Sequence, residues 1–189
     1  MKNILFLAIC LSLFSFKENK QVNKSNAKFL NTQNNTLFNR DYQDLLTLEI
    51  ASKVTGFDPS KARKSNPMKG MMSEILKYSW ENGREFVKEK SETNRKRVAY
   101  SRSDLVQISF VDFEADMEIF LEFVEPEIHS ELTKIEDVGE AAYWNSKNNF
   151  IEVYYNEVSF RGKVEISNDE AINKEKTIEL AKLIIKEKL

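Results

Sequence analysis

A single histidine, His129, stands in the stretch Glu125-Pro126-Glu127-Ile128-His129-Ser130-Glu131. An imidazole beside carboxylates can act as a general base or a metal ligand. A zinc centre, however, needs three or four His, Cys or carboxylate ligands, and a catalytic triad needs a positioned serine and acid. Glu125, Glu127 and Glu131 are spaced for a weak cation site at most, so His129 reads first as a surface residue after a helix end. Asp112, Glu114 and Asp116 alternate in VDFEADME and bring Ca²⁺ ligation to mind. An EF-hand loop requires Gly at its sixth position and Glu at its twelfth. Counted from Asp112 these are Met117 and Phe123, and the motif fails. Carboxylates opening a helix already have an electrostatic reason to be there. No catalytic set, metal site or cofactor is assigned from these residues.

Other chemistry is equally sparse. The chain has five glycines, and Gly70, Gly83 and Gly139 stand alone, so no phosphate-cradling loop is present. The basic run Arg95-Lys96-Arg97, with Arg84, Lys88, Lys90 and Arg102 around it, is interleaved with Glu85, Glu89 and Glu92 and reads as a solvated face. Aromatic residues remain. Trp80, Trp144, Tyr78, Tyr143 and Tyr154 could line a groove, because Trp and Tyr are favoured in recognition. Packing accounts for most of them. Trp144 at the start of a strand, with Tyr154 and Arg161 on the outward face of a hairpin, are the residues singled out for binding.

Composition narrows the classes further. With 28 basic and 30 acidic residues the net charge is −2, which offers no global field for nucleic acid or an anionic membrane. At 41% hydrophobic and 31% charged, the 189 residues suit one folded domain with a leader. Lys2 followed by the apolar run Ile4 to Phe16 reads as a signal peptide, 1–16, too short to span a bilayer comfortably. The only cysteine, Cys10, follows Leu7-Ala8-Ile9, where bulky Ile9 argues against lipidation, so simple export to the periplasm or cell envelope of a bacterium is expected. Membrane association is expected only through an uncleaved leader or lipidation at Cys10. A chain without the leader has no cysteine, and its stability must come from packing. Residues 17–40 hold seven asparagines and read as a flexible polar tether, leaving 41–189 as a single α+β domain.

The elements follow from periodicity. LLTLEIASKVTG predicts a short helix with Thr47 as N-cap, Leu48, Ala51 and Val54 on one face, and Gly56 as the stop. ILKYSWENG predicts a strand with Leu76, Tyr78 and Trp80 inward and a turn at Asn82-Gly83. Residues 84–100 fit either a solvated helix or a protruding hairpin. DLVQISFVDF predicts a strand with Val106, Ile108 and Phe110 on one side, and EADMEIFLEFVEP a helix burying Met117, Phe120, Leu121 and Val124. Ile151, Val153 and Tyr155 then face the same way as Val158, Phe160, Gly162, Val164 and Ile166 across a turn at Asn156-Glu157. On the other side of the second arm, Ser159, Arg161, Lys163 and Glu165 read as a solvent face. A closing helix from about Asn173, read as its N-cap, turns Ile178, Ala181, Ile184 and Ile185 inward. Without regular βαβ alternation the order predicts an α+β fold, an antiparallel sheet covered by helices.

LLTLEIASKVTG, the aromatic strand at Tyr78-Ser79-Trp80 and the segment VGEAAYW (138–144) before an alternating hairpin resemble small exported bacterial lipoproteins of unknown function with a PsbP-like α/β/α sandwich. The resemblance covers roughly 45–189 and rests on packing residues. It implies a binding, docking or assembly module without a catalytic set. The chain departs from many such proteins in having Phe16 where a lipidated cysteine would stand, and in lacking paired cysteines. The expected function is therefore a non-catalytic exported envelope protein that binds or assembles with another envelope protein, and not with nucleic acid. Two alternatives stay open: an inhibitor or immunity-type protein neutralising a toxin, and a hydrolase using carboxylates and His129.

Overall fold

Polar side chains set where the helices begin. Thr47, Asp116 and Asp169 each adopt extended backbone and accept a hydrogen bond from a first-turn N–H, of Ile50 at 3.2 Å, Glu118 at 2.7 Å and Ala171 at 2.8 Å. The computed structural model describes residues 40–88 and 98–189. Its helices are α1 (Tyr42–Leu45), α2 (Leu48–Thr55), α3 (Met117–Val124) and α4 (Glu170–Lys188). Its strands are β1 (Arg63–Ser65), β2 (Ile75–Trp80), β3 (Glu85–Lys88), β4 (Val98–Ser101), β5 (Asp104–Asp112), β6 (Leu132–Lys134), β7 (Ala141–Asn145), β8 (Phe150–Tyr155) and β9 (Val158–Glu165). The protein is α+β. Seven strands in the order β1-β2-β5-β9-β8-β7-β6 pair antiparallel throughout, and helices pack on both faces.

One face carries the main core. Alternation turns Leu76, Tyr78 and Trp80 of β2 and Ile151 and Val153 of β8 inward, against Leu180, Ala181 and Ile184 of α4. Gly162 in β9 faces this core, where a Cβ would stand in ordinary contact, 3.4 Å from Ile151 and 3.7 Å from Leu180. The hairpin register is the expected one, Ile151↔Gly162 and Val153↔Phe160, closed by Asn156 and Glu157 at φ 49 and 61. Both central residues have positive φ, as a two-residue turn matching strand twist requires.

Several expectations give way. α4 is capped by Asp169, four residues before the expected N-cap Asn173. Asn173 instead lies buried, accepting from Ile166 and Ser167 N–H at 3.0 Å each, while Thr177 accepts from Val164 N–H at 2.9 Å. β9 runs past the start of β8, and these two α4 side chains satisfy backbone donors that have no strand beside them. Asn82-Gly83 does turn the chain, with Gly83 at φ 73, but into a separate ribbon of β3 and β4 instead of back along β2. The tip of that ribbon, 89–97, with Arg95-Lys96-Arg97, lies outside the described residues, as do the leader and residues 17–39. Among the described residues, no helix is long and apolar enough to cross a membrane.

The expected solvent face of β9 is also altered. Glu165 is buried and receives Arg102 at 2.6 Å and Lys163 at 3.2 Å. Beside it, Arg84 donates to Asp104 at 2.6 Å, to the carbonyls of Ser103 and Glu165, and to Asn168. A guanidinium with several donors in a rigid fork can bind the ribbon base to the sheet in this way. Arg84 therefore anchors β3 and β4 and is not part of a free basic surface.

Candidate functional site

Strict alternation along β5 breaks at one point. Ser109 pairs with Arg161 and Asp112 with Ser159, so β5 holds one residue more than β9 across this interval, a β-bulge. Phe110 takes φ 51, a conformation costly for a bulky side chain. The bulge corrects the expectation that Phe110 shares the inward side of Val106 and Ile108. Its ring is 41% exposed and lies on the opposite face, against Arg161.

α3 forms the other wall on that face. Phe120 and Val124 pack on Ala141 and Tyr154 in a second small core, with the Phe120 and Tyr154 rings 5.7 Å apart. Two further apolar side chains of α3, Ile119 and Phe123, are 62% and 55% exposed. Phe123 meets Phe110 at a ring separation of 6.1 Å. Between bulge, helix and sheet opens a cleft of about 430 Å³, lined by Phe110, Ile119, Phe123 and Met72, with Glu152 and Ser159 also contributing. That size lies within the range of ligand pockets.

Of the polar lining, Glu152 is paired with Arg161 beside the cleft. Nε and Nη2 of Arg161 lie 2.7 Å and 2.5 Å from one oxygen, Oε1, of Glu152. The guanidinium is layered on aromatic rings, 3.9 Å from the centroid of Phe150 and 4.5 Å from that of Phe110. Cation–π contact and the carboxylate together hold it in a single orientation. Burial pushes the Glu152 carboxyl above the usual range, and Arg161 pulls it back only in part. The pair is nearly dry on the Glu152 side, and Glu152 lines the cleft.

The residues expected to bind are thus separated by the fold. Trp144 is 4% exposed and faces the main core beside Ile151, with Lys174 Nζ 5.7 Å from its ring centroid. Its reading as a surface residue is corrected by strand parity: β7 turns it toward α4. Tyr154 does lie on the face opposite Ile151, but α3 covers it to 7% exposure. None of the three lines the cleft; Arg161 stands beside it, stacked on Phe110 and paired with Glu152, which do. Phe110, Phe123, Ile119, Met72 and Glu152 were not singled out from the sequence. A signal for them was present in Ile119 and Phe123, a second apolar pair four apart beside the buried pair Phe120 and Val124.

His129 lies between Glu125 and Glu131, with ring nitrogens 3.5 Å and 3.6 Å from their carboxylates, and its side chain is 45% exposed. It borders a second hollow of about 260 Å³ that shares Phe123 and Glu152 with the cleft. The buried carboxylate there is the one held by Arg161. Asp112, Glu114 and Asp116 do the work expected of acids at a helix start: Asp112 accepts from Glu114 N–H, Asp116 caps α3, and Glu114 pairs with Arg40. Among the described residues no group of three His, Cys, Asp or Glu side chains is placed to hold a metal ion.

Fold and site together define an α+β protein with a half-open aromatic cleft on the sheet face that α3 covers in part. Comparison with protein-family models, with curated proteins and with solved structures gives no match.

Proposed function

We propose that the protein is an exported binding or assembly module of the bacterial envelope that works without catalysis, and that the α3 cleft is its working surface. One observation carries the reading. Phe110, Ile119 and Phe123 stay exposed around a cleft whose lining includes the buried Glu152, paired with Arg161, and one of them is held there by a strained bulge. Exposed contiguous apolar side chains rimmed by polar ones mark interaction surfaces. Strain of this kind persists where the surrounding structure enforces it. The leader, the polar tether and the resemblance to PsbP-like exported proteins supply the envelope setting. The reading is tested by capture from an envelope fraction with the wild-type chain and with Ile119→Asp/Phe123→Asp. A partner retained by the first and lost by the second supports it; identical capture profiles contradict it.

The inhibitor reading draws on a specific feature, the dense acidity of the same surface, since electrostatic complementarity favours fast capture of a cationic partner. A toxin-encoding frame next to this one in the genome, and a toxin neutralised by the purified chain, would favour it over an assembly role.

A further inference from the structure

The cleft has a charge as well as a shape. From Asp112 to Thr133 the chain carries eight carboxylates, Asp112, Glu114, Asp116, Glu118, Glu122, Glu125, Glu127 and Glu131, and no lysine or arginine. In a chain with net charge −2, this concentrates negative charge on one segment, and residues from its first half, Asp112, Ala115, Ile119, Phe120 and Phe123, line the cleft. Glu118 and Glu122 are exposed and sit one residue before Ile119 and Phe123, so carboxylates and apolar anchors alternate along the open side of α3. Asp112 and Glu152 both line the cleft, and its lining includes no lysine or arginine. Arg161 answers Glu152 from the side, and Arg40 answers Glu114 at the rim.

Resting on the reading of the cleft as a docking surface, we infer that its occupant is a cationic amphipathic segment of a partner protein. Such a segment places apolar side chains between Phe110, Ile119 and Phe123, and flanking lysines or arginines against Glu118, Glu122 and Asp112. Each part has a physical reason. The aromatic side chains provide the desolvated anchor that dominates interface energy. The carboxylates around it steer a cation to the site and penalise an anionic competitor. The same acidity opposes an anionic lipid surface, so the exposed Phe123, Ile119 and Met72 are not suited to insert among such headgroups.

The test uses the full chain and two labelled amphipathic peptides with the same leucine and phenylalanine anchors, one flanked by lysines and the other by glutamates. Fluorescence anisotropy is expected to show the lysine peptide binding at least about tenfold more tightly than the glutamate one. Added salt should erode that preference. Glu118→Lys/Glu122→Lys is expected to reverse the preference, and Phe123→Asp to weaken both peptides; all three positions are exposed, so the fold is spared. Equal binding of the two peptides overturns the inference, as does lysine-peptide binding indifferent to Phe123→Asp. Sedimentation showing a dimer that Phe123→Asp converts to monomer also overturns it, by making a second copy the occupant. Failure here with capture from the envelope still lost in Ile119→Asp/Phe123→Asp would leave the docking surface standing and remove only its cationic partner. Failure here together with identical capture profiles would remove the surface as well.

Discussion

Replacing Arg161 by methionine removes a charge while keeping an unbranched stem against Phe150 and Phe110. The Glu152 side chain is 6% exposed and the Arg161 side chain 24%, so the variant leaves a nearly dry carboxylate without its cation. Breaking a buried pair from one side costs about 3–5 kcal/mol. The partial exposure of Arg161 places this case near the lower end, about 3 kcal/mol. The cost has a definite pH dependence. Burial already holds the Glu152 carboxyl above its usual range, and loss of Arg161 moves it further up. A carboxyl raised on folding leaves stability intact below its unfolded value and removes it as pH climbs through the folded one. The deficit of Arg161→Met should therefore be small near pH ~4, where glutamate is largely protonated in both states, and complete well above neutrality. In urea titrations at high pH the midpoint should fall by about 1 to 3 M for an m-value of about 1–3 kcal/mol/M. Adding Glu152→Leu should recover most of the loss, because an apolar pair avoids the desolvation penalty. A loss below about 1 kcal/mol, typical of a surface ion pair, or one equal at both pH values, would show that Glu152 is not held as a buried partner of Arg161.

Other substitutions probe the parts that position the cleft. Gly139→Ala puts a Cβ 2.6 Å from the Tyr154 carbonyl at φ +60, and should cost about 2 kcal/mol or more in thermal unfolding. Gly162→Ala meets only ordinary contacts and should stay within about 1 kcal/mol. Arg84→Met removes the clamp on Asp104, whose side chain is 4% exposed, for about 3 kcal/mol. Hydrogen exchange should then accelerate at 85–88 and 98–101 before it does elsewhere. Phe110→Gly relieves the positive φ but gives up the stacking on Arg161, so stability should change by no more than about 1 kcal/mol. Binding of the lysine-flanked peptide by that variant should nevertheless fall about tenfold.

The fold was legible where period and punctuation agreed. Thr47 and Gly56 bracket α2, Leu76, Tyr78 and Trp80 alternate into the core, and the hairpin from Ile151 to Val164 folds in the expected register. The cleft was harder to read because it is made where those rules stop. The bulge at Phe110 leaves no composition signal, and it reverses the side on which a regular strand would place that ring. Trp144 and Tyr154 look alike in sequence, yet parity and α3 bury them on opposite faces. Glu152 sits among Phe150, Ile151, Val153 and Tyr154, and only the cross-strand register to Arg161 explains a carboxylate there. Arg84 and Glu165 read as solvated charges because their partners lie far along the chain, Asp104 for one and Arg102 for the other.

Binding through the α3 cleft is read out by amide and methyl chemical-shift mapping of the full chain titrated with the lysine-flanked peptide. Perturbations should cluster at Phe110, Asp112, Ile119, Phe123 and Glu152 and leave Trp144 and α4 unchanged. Perturbations centred on α4 or on the β3–β4 ribbon, with the cleft silent, would contradict it.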